Sequence, residues 1–187
     1  MKYKYDKDMK TTFSLLSLVI LSIILTYTIG CFYSYFYPMS YSQEIIKYSQ
    51  EYDVDSALVA SVINTESSFK ENVQSQKGAV GLMQLMPSTA EWLAGKVGEE
   101  YSDERLYEPE FNIKLGSYYL SYLIKYFGDR ELAICAYNAG QGNVSNWLED
   151  KRYSSDGKTL DNIPFEETKN YLNKVYKNYR YYKNKYK

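Results

Sequence analysis

The sequence predicts an all-α domain preceded by one N-terminal transmembrane helix, and three observations carry that prediction. From residue 41 to 187, apolar residues recur at three- and four-residue steps almost throughout, with no convincing run of strand alternation. Asp, Ser, Pro and Gly punctuate that stretch where helices start and stop. Ahead of it, Thr11 to Gln43 carries no charged residue, and Phe13 to Phe32 is a nearly continuous apolar run of the length that crosses a bilayer. A chain of 187 residues has room for one domain plus such an attachment.

Lys2, Lys4, Lys7 and Lys10 precede the apolar run, partly offset by Asp6 and Asp8. The positive-inside tendency then keeps the N-terminus cytoplasmic and puts the rest outside. The expected division is a cytoplasmic tail at 1–10, a transmembrane signal anchor at 11–32, a linker at 33–40 and the helical domain at 41–187. A cleaved signal peptide is one rival, but the run is longer than a usual h-region and lacks a clear A-x-A site. A lipid-modified Cys31 is another, although Thr28 stands where a lipobox has a Leu-like residue. All three readings place the domain on the extracytoplasmic side, and a retained single-pass anchor in the cell membrane is preferred.

The helices follow in order. "YSQEIIKYSQEY" forms the first, with Ser40 and Gln43 spaced as a capping box. Asp55 caps the second, which runs to Glu66. "KGAVGLMQLMP" reads as an irregular, tightly packed segment from its two glycines and terminal proline. Ser88 and Glu91 make a second capping box, opening a helix that stops near Gly98. Pro109 suits the first turn of a long helix from Glu108 to Phe127, closed by Gly128. Asp129 caps "RELAICAY", which ends at "NAGQGN". Tyr153 to Asn162 is a polar loop, and Pro164 leads into a C-terminal helix.

Composition removes several chemistries. A formal charge of −1 argues against an electrostatic nucleic-acid binder, and the basic "KVYKNYRYYKNKYK" is spaced like the solvated face of a helix. The chain has no histidine, which excludes Ser–His–Asp and Cys–His catalysis and His-ligated zinc. Any general acid or base is therefore Asp, Glu, Lys, Tyr or Cys. Two cysteines, Cys31 and Cys135, make neither a thiolate zinc site nor a disulfide framework, and Cys135 in "LAICAY" reads as a small buried apolar residue. No metal and no cofactor are expected.

One residue breaks the pattern of its helix. In "SALVASVINTESSF" Leu58, Val59, Val62, Ile63 and Phe69 build one apolar face, and Glu66 falls four residues after Val62 and three after Ile63. A core-facing carboxylate is costly unless something uses it. Taken alone, it has an ordinary explanation as a solvated glutamate at a fraying helix end. "GLMQLMP" could likewise be plain core, "AYNAGQGN" a helix stop, and Tyr171 in "IPFEETKNYL" one of many core tyrosines.

Together these pieces resemble the soluble lytic transglycosylase family, the lysozyme-like enzymes that cut bacterial peptidoglycan. The likeness runs from about Val54 to Tyr179: Glu66-Ser67, then "SQKGAVGLMQLMPSTA", "AYNAGQGNVSNWL" and "IPFEETKNYLNKV". Ser75 lies nine residues after Glu66 and Gln84 eighteen after, as in the family, while Lys169 departs from its common Arg. The resemblance implies a lysozyme-like α domain with Glu66 as the catalytic residue. It implies Ser75, Met83, Gln84, Tyr137, Asn138 and Tyr171 along the substrate cleft, with Tyr137 or Tyr171 able to hydrogen-bond Glu66 or position the N-acetyl group. Glycoside cleavage usually takes two carboxylates, whereas the family uses one glutamate and the substrate's own N-acetyl group. The expected reaction cuts the MurNAc–GlcNAc bond without water and leaves 1,6-anhydro-MurNAc ends. Apolar neighbours Val62, Ile63 and Met83 would raise the Glu66 pKa and keep its proton available. The expected partners are glycan strands and the membrane. The rivals are a goose-type lysozyme-like hydrolase, with water as acceptor, and a glycan-binding scaffold that does not cut.

Overall fold

The computed structural model describes residues 2–186, and their regular structure is helical apart from two isolated bridges, Gln74 with Val80 and Val80 with Leu85. Helix α1 spans Lys2–Phe36. Within it, Leu15–Phe36 is long and apolar enough to cross a membrane, with a mean hydropathy of 2.3. The helix continues four residues into the expected linker, so only residues 37–41 separate it from α2. Two compact units divide between Pro38 and Met39.

The second unit contains α2 (Ser42–Glu51), α3 (Ser56–Glu66), α4 (Pro87–Val97), a short 3-10 helix (Glu104–Tyr107), α5 (Pro109–Phe127), α6 (Arg130–Ala139), α7 (Gln141–Glu149) and α8 (Glu166–Tyr182). Its core is built around α3, which packs against α8, α2 and α5. The expected single apolar face is an understatement: Ala57 through Asn64 are all buried. Ala57, Ala60 and Ser61 are small enough to let neighbours close on every side, which is how a helix apolar all round is accommodated. A second cluster, with Leu93 and Ala94 of α4 and Phe111 and Leu115 of α5, seats Val80 and Leu85 of the intervening loop.

Two of the four expected caps form. Asp55 accepts the Ala57 N–H at 2.9 Å, and Asp129 accepts the Leu132 N–H at 2.8 Å. Each such cap is worth about 1 kcal/mol. The two capping boxes do not form. Tyr41 precedes α2 in the left-handed region (φ 59°), and the Ser42 hydroxyl donates back to the Met39 carbonyl at 2.5 Å. At α4, Pro87 takes the first position with its φ pre-set, so the helix has begun before Ser88. Gly98 (φ 72°) and Gly128 (φ 66°) end α4 and α5 as expected. Helix α7 and the 3-10 turn were not expected. Gly140 (φ 90°) closes α6 and opens α7 in a single residue, so "NAGQGN" is a corner and not merely a stop. Cys135 is buried, and burial pushes its thiol up to about 12, in keeping with a small apolar core residue.

Candidate active site

Glu66 is the last residue of α3, and the chain turns sharply after it. Ser68 (φ 52°) and Phe69 (φ 63°) are both left-handed, a conformation that costs a non-glycine residue roughly 1–2 kcal/mol. The turn tucks Phe69 into the core against Tyr182, with ring centroids 6.0 Å apart. Glu66 therefore marks where α3 leaves the core, with apolar residues behind it and a partly open side ahead.

The segment that returns past Glu66 is fixed by one buried side chain. Asn112 of α5 accepts the Met83 N–H at 2.7 Å and donates to the carbonyls of Val80 (3.0 Å) and Leu106 (2.8 Å). Two glycines permit this. A Cβ on Gly81 would lie 2.3 Å from the Asn112 amide nitrogen, and one on Gly116 would lie 2.2 Å from the Met83 sulfur. Ser75 belongs to the same segment, where its hydroxyl accepts the Ala79 N–H at 2.9 Å. Gln84 is held in the left-handed region (φ 47°) and gives both amide hydrogens to carbonyls, of Gly81 at 2.9 Å and Val73 at 3.1 Å. Among the described residues its amide oxygen has no donor.

Tyr171 of α8 donates its hydroxyl to Glu66 Oε1 at 2.7 Å, and Tyr137 of α6 donates to the Met83 carbonyl at 2.8 Å. Burial raises both phenols well above their usual range, so each is a neutral donor. Burial also pushes the Glu66 carboxyl up to about 7; the Tyr171 bond opposes that rise and the charge of Glu167 adds to it. Glu167 itself is exposed and lies 3.5 Å from Lys77. Beside this pair Asn138 accepts the Thr168 hydroxyl at 2.8 Å, and among the described residues its amide N–H2 has no acceptor.

The structure thus bonds Tyr171 to Glu66 and Tyr137 to the Met83 carbonyl, with Asn138 following Tyr137 in α6 and Gln84 following Met83 in the returning segment. One expectation is corrected. Met83 has no exposed surface, because its side chain fills the space left by Gly116, so it does not line an open cleft. Its carbonyl, as the Tyr137 acceptor, is its contribution to the site. Asn112, Gly116, Thr168 and Glu167 support the site and were not singled out from the sequence. Two left a signal: Asn112 interrupts the apolar run "FNIKL" as Glu66 interrupts its own, and Gly116 sits mid-helix, where glycine costs about 1 kcal/mol. Among the described residues no group of three or more His, Cys, Asp or Glu side chains is placed to hold a metal ion.

The transglycosylase SLT domain family matches residues 43–160. The chain belongs to that family. Tyr171 lies beyond the matched residues, on α8. The soluble lytic murein transglycosylase of Salmonella typhimurium is 33% identical over 151 residues, covering 79% of this chain and 23% of that protein. The membrane-bound lytic murein transglycosylase C of Pectobacterium atrosepticum is 32% identical over 162 residues, covering 72% of this chain and 45% of its own length. Among solved structures, an inactive mutant of lytic transglycosylase Slt from Pseudomonas aeruginosa superposes with a TM-score of 0.71 at 35% identity, over 80% of this chain and 25% of that one. The domain has the all-helical, lysozyme-like fold of the SLT family. The chain spans about a quarter of the length of its soluble relatives.

Proposed function

We propose that this chain is a peptidoglycan lytic transglycosylase in which Glu66 serves first as acid and then as base. The observation that carries the reading is a glutamate at the end of α3 that accepts the Tyr171 hydroxyl at 2.7 Å, where burial pushes its carboxyl up to about 7. Such a group is populated in both protonation states near neutrality, as a residue that must give and then take a proton requires.

The steps balance without water. Protonated Glu66 gives its proton to the glycosidic oxygen as the bond from C1 of MurNAc breaks, and the departing GlcNAc keeps that proton as a hydroxyl. The N-acetyl carbonyl oxygen of the same MurNAc bonds to C1 and takes up the developing positive charge. Glu66, now a carboxylate, removes the proton of the C6 hydroxyl; O6 attacks C1, the carbonyl oxygen leaves, and a 1,6-anhydro ring closes. Tyr171 donates to Glu66 most strongly when the carboxylate is ionised, which favours the intermediate stage. The unclaimed amide oxygen of Gln84 and amide hydrogens of Asn138 suit the sugar's hydroxyls and acetamide. Tyr137 and Ser75 complete the lining.

Glu167 is the one feature that favours a hydrolase, because a second carboxylate near the first is the arrangement of water-consuming glycosidases. Its ion pair with Lys77 and its exposure favour a supporting electrostatic role instead. A scaffold that holds glycan without cutting has no use for a desolvated acid. Digestion of purified peptidoglycan by the full chain separates the three: 1,6-anhydromuropeptides are expected, products heavier by one water would establish the hydrolase, and no products would leave the scaffold.

Residues 11–32, inside α1, act in this reading as a retained signal anchor, with 1–10 cytoplasmic and the domain facing the wall. The apolar length of Leu15–Phe36 and the membrane-bound relative support it. A reporter fused after Lys187 is then active only outside the cytoplasm, and a mature chain beginning near residue 31 would overturn the anchor while leaving the enzyme intact.

A further inference from the structure

Helix α5 carries Tyr119, Tyr122 and Tyr126 at steps of three and four residues, hence on one face. Ile113, Leu120 and Leu123 of the same helix are fully buried in the core. The tyrosine face continues onto two neighbouring helices. Trp92 of α4 meets Tyr122 edge-on with centroids 5.2 Å apart and Tyr119 at 6.5 Å. Tyr119 meets Tyr137 of α6 at 5.3 Å, and Tyr122 stacks with Tyr126 at 6.2 Å. Five rings thus form an unbroken row. It starts at Tyr137, which is bonded to the Met83 carbonyl and whose phenol is raised further by the charge of Glu66, and ends at the surface.

Core packing accounts only for the inner end of that row, where Tyr119 and Tyr137 lie against the cluster of Val80, Leu93 and Phe111. Trp92 is 39% exposed and Tyr126 53% exposed, where rings serving only the core would be covered. An open depression of about 330 Å³ lies along the row, lined by Ser88, Thr89 and Gln141 together with Trp92, Tyr119 and Tyr122. Aromatic faces bordered by hydroxyls and an amide match one chemistry well. A pyranose ring has an apolar C–H face that stacks on an aromatic ring and a rim of hydroxyl and acetamide groups that needs hydrogen-bond partners. Among the described residues the cation placed over a ring of the row is Lys96, 5.9 Å from Trp92, too little positive charge for a phosphate backbone.

We infer that the Trp92–Tyr119–Tyr122–Tyr126 row is a second glycan-binding platform, which holds the strand at a distance from the bond being cut. Continuity with Tyr137 and Glu66 names the occupant as the same strand. The inference rests on the proposed activity at Glu66. It makes the protein a reader of strand length: a short glycan fills only the site at Glu66, and a long one gains the aromatic row as well.

The test uses the full chain in detergent, in a Glu66→Gln background so that nothing is cut. Its binding to a peptide-free MurNAc–GlcNAc disaccharide is compared with binding to long peptide-free glycan strands. The parent is expected to bind the long strands more tightly. Trp92→Ala is expected to weaken long-strand binding by about tenfold and leave the disaccharide unchanged; Trp92→Phe, which keeps a ring, restores most of the loss. An unchanged long-strand affinity in Trp92→Ala overturns the platform. So does an equal loss for both ligands, which makes Trp92 a packing residue. A parent that binds neither glycan overturns the activity at Glu66 and the platform together.

Discussion

The two ends of α3 present nearly the same chemistry and use it differently. At the start, Asp55 accepts a hydroxyl from Tyr179 of α8 at 2.5 Å; at the end, Glu66 accepts one from Tyr171 of the same helix at 2.7 Å. Asp55 also caps the Ala57 N–H and has Arg130 at 3.7 Å. It sits at the helix terminus whose partial charge is positive. Glu66 lies at the opposite terminus, where that partial charge is negative, and burial raises its carboxyl, with the charge of Glu167 adding to the rise. A tyrosine–carboxylate bond is thus a fastening in one setting and, in the proposed reaction, a proton store in the other. The helix end and the desolvation decide which.

The largest expected effect lies at the second end. Glu66→Gln keeps the shape and removes the proton, so anhydromuropeptide release should fall by roughly a thousandfold or more. A variant that still cuts would make the two ends alike. Tyr171→Phe should be milder. Without the hydroxyl the ionised form of Glu66 loses a partner, its pKa rises further, and the base form becomes scarcer at neutral pH. Activity there should drop by roughly tenfold, with the optimum displaced to the alkaline side. A displacement toward acid would reverse the assignment of Tyr171 as the stabiliser of the carboxylate.

Stability should follow the same asymmetry. Between the ordinary 4.5 and about 7, the folded chain retains a Glu66 proton that the unfolded chain has lost. The unfolded state then binds fewer protons, so the Glu66 contribution to stability falls as pH rises through that window. Glu66→Gln lacks this term. Its stability advantage over the parent should grow from pH 4.5 to 7, reaching at most about 3 kcal/mol. Thermal midpoints of both proteins across that range measure it, and a constant difference would mean that Glu66 keeps an ordinary pKa. Asp55→Ala removes a cap and should cost about 1 kcal/mol with cleavage unchanged. Lys77→Gln breaks an exposed pair and should move the midpoint hardly at all, by less than about 0.5 kcal/mol. Loss of catalysis in Asp55→Ala would mean that the two ends communicate.

What the sequence displays is what is local. Asp55 and Asp129 were readable because a capping carboxylate and the N–H it accepts lie within three residues of each other. Gly98 and Gly128 were readable because left-handed backbone follows so often from glycine. Ser40 and Ser88 have the right spacing for capping boxes, yet a left-handed Tyr41 and the rigid ring of Pro87 decide where those helices begin. Glu66 was visible as a misplaced charge, and its role came from a resemblance spread over four segments. The Tyr171 bond was legible only through that resemblance, which offered Tyr137 or Tyr171 as the donor: the residues stand 105 apart in the chain, and nothing local separates one tyrosine from the other 22. Met83 was misplaced for a related reason, since its burial depends on a glycine 33 positions away in α5.

That last contact restricts how the sequence can drift. Gly116 and Met83 share one volume, so neither can be enlarged unless the other shrinks. Gly116→Ala alone drives a methyl group into the thioether, and Met83→Ala alone leaves a void under the Tyr137 acceptor. Among homologues these two positions should therefore trade bulk in step, large with small. A lineage that changed one first would have to cross a generation of poorly seated cleft walls before the second change repaired them.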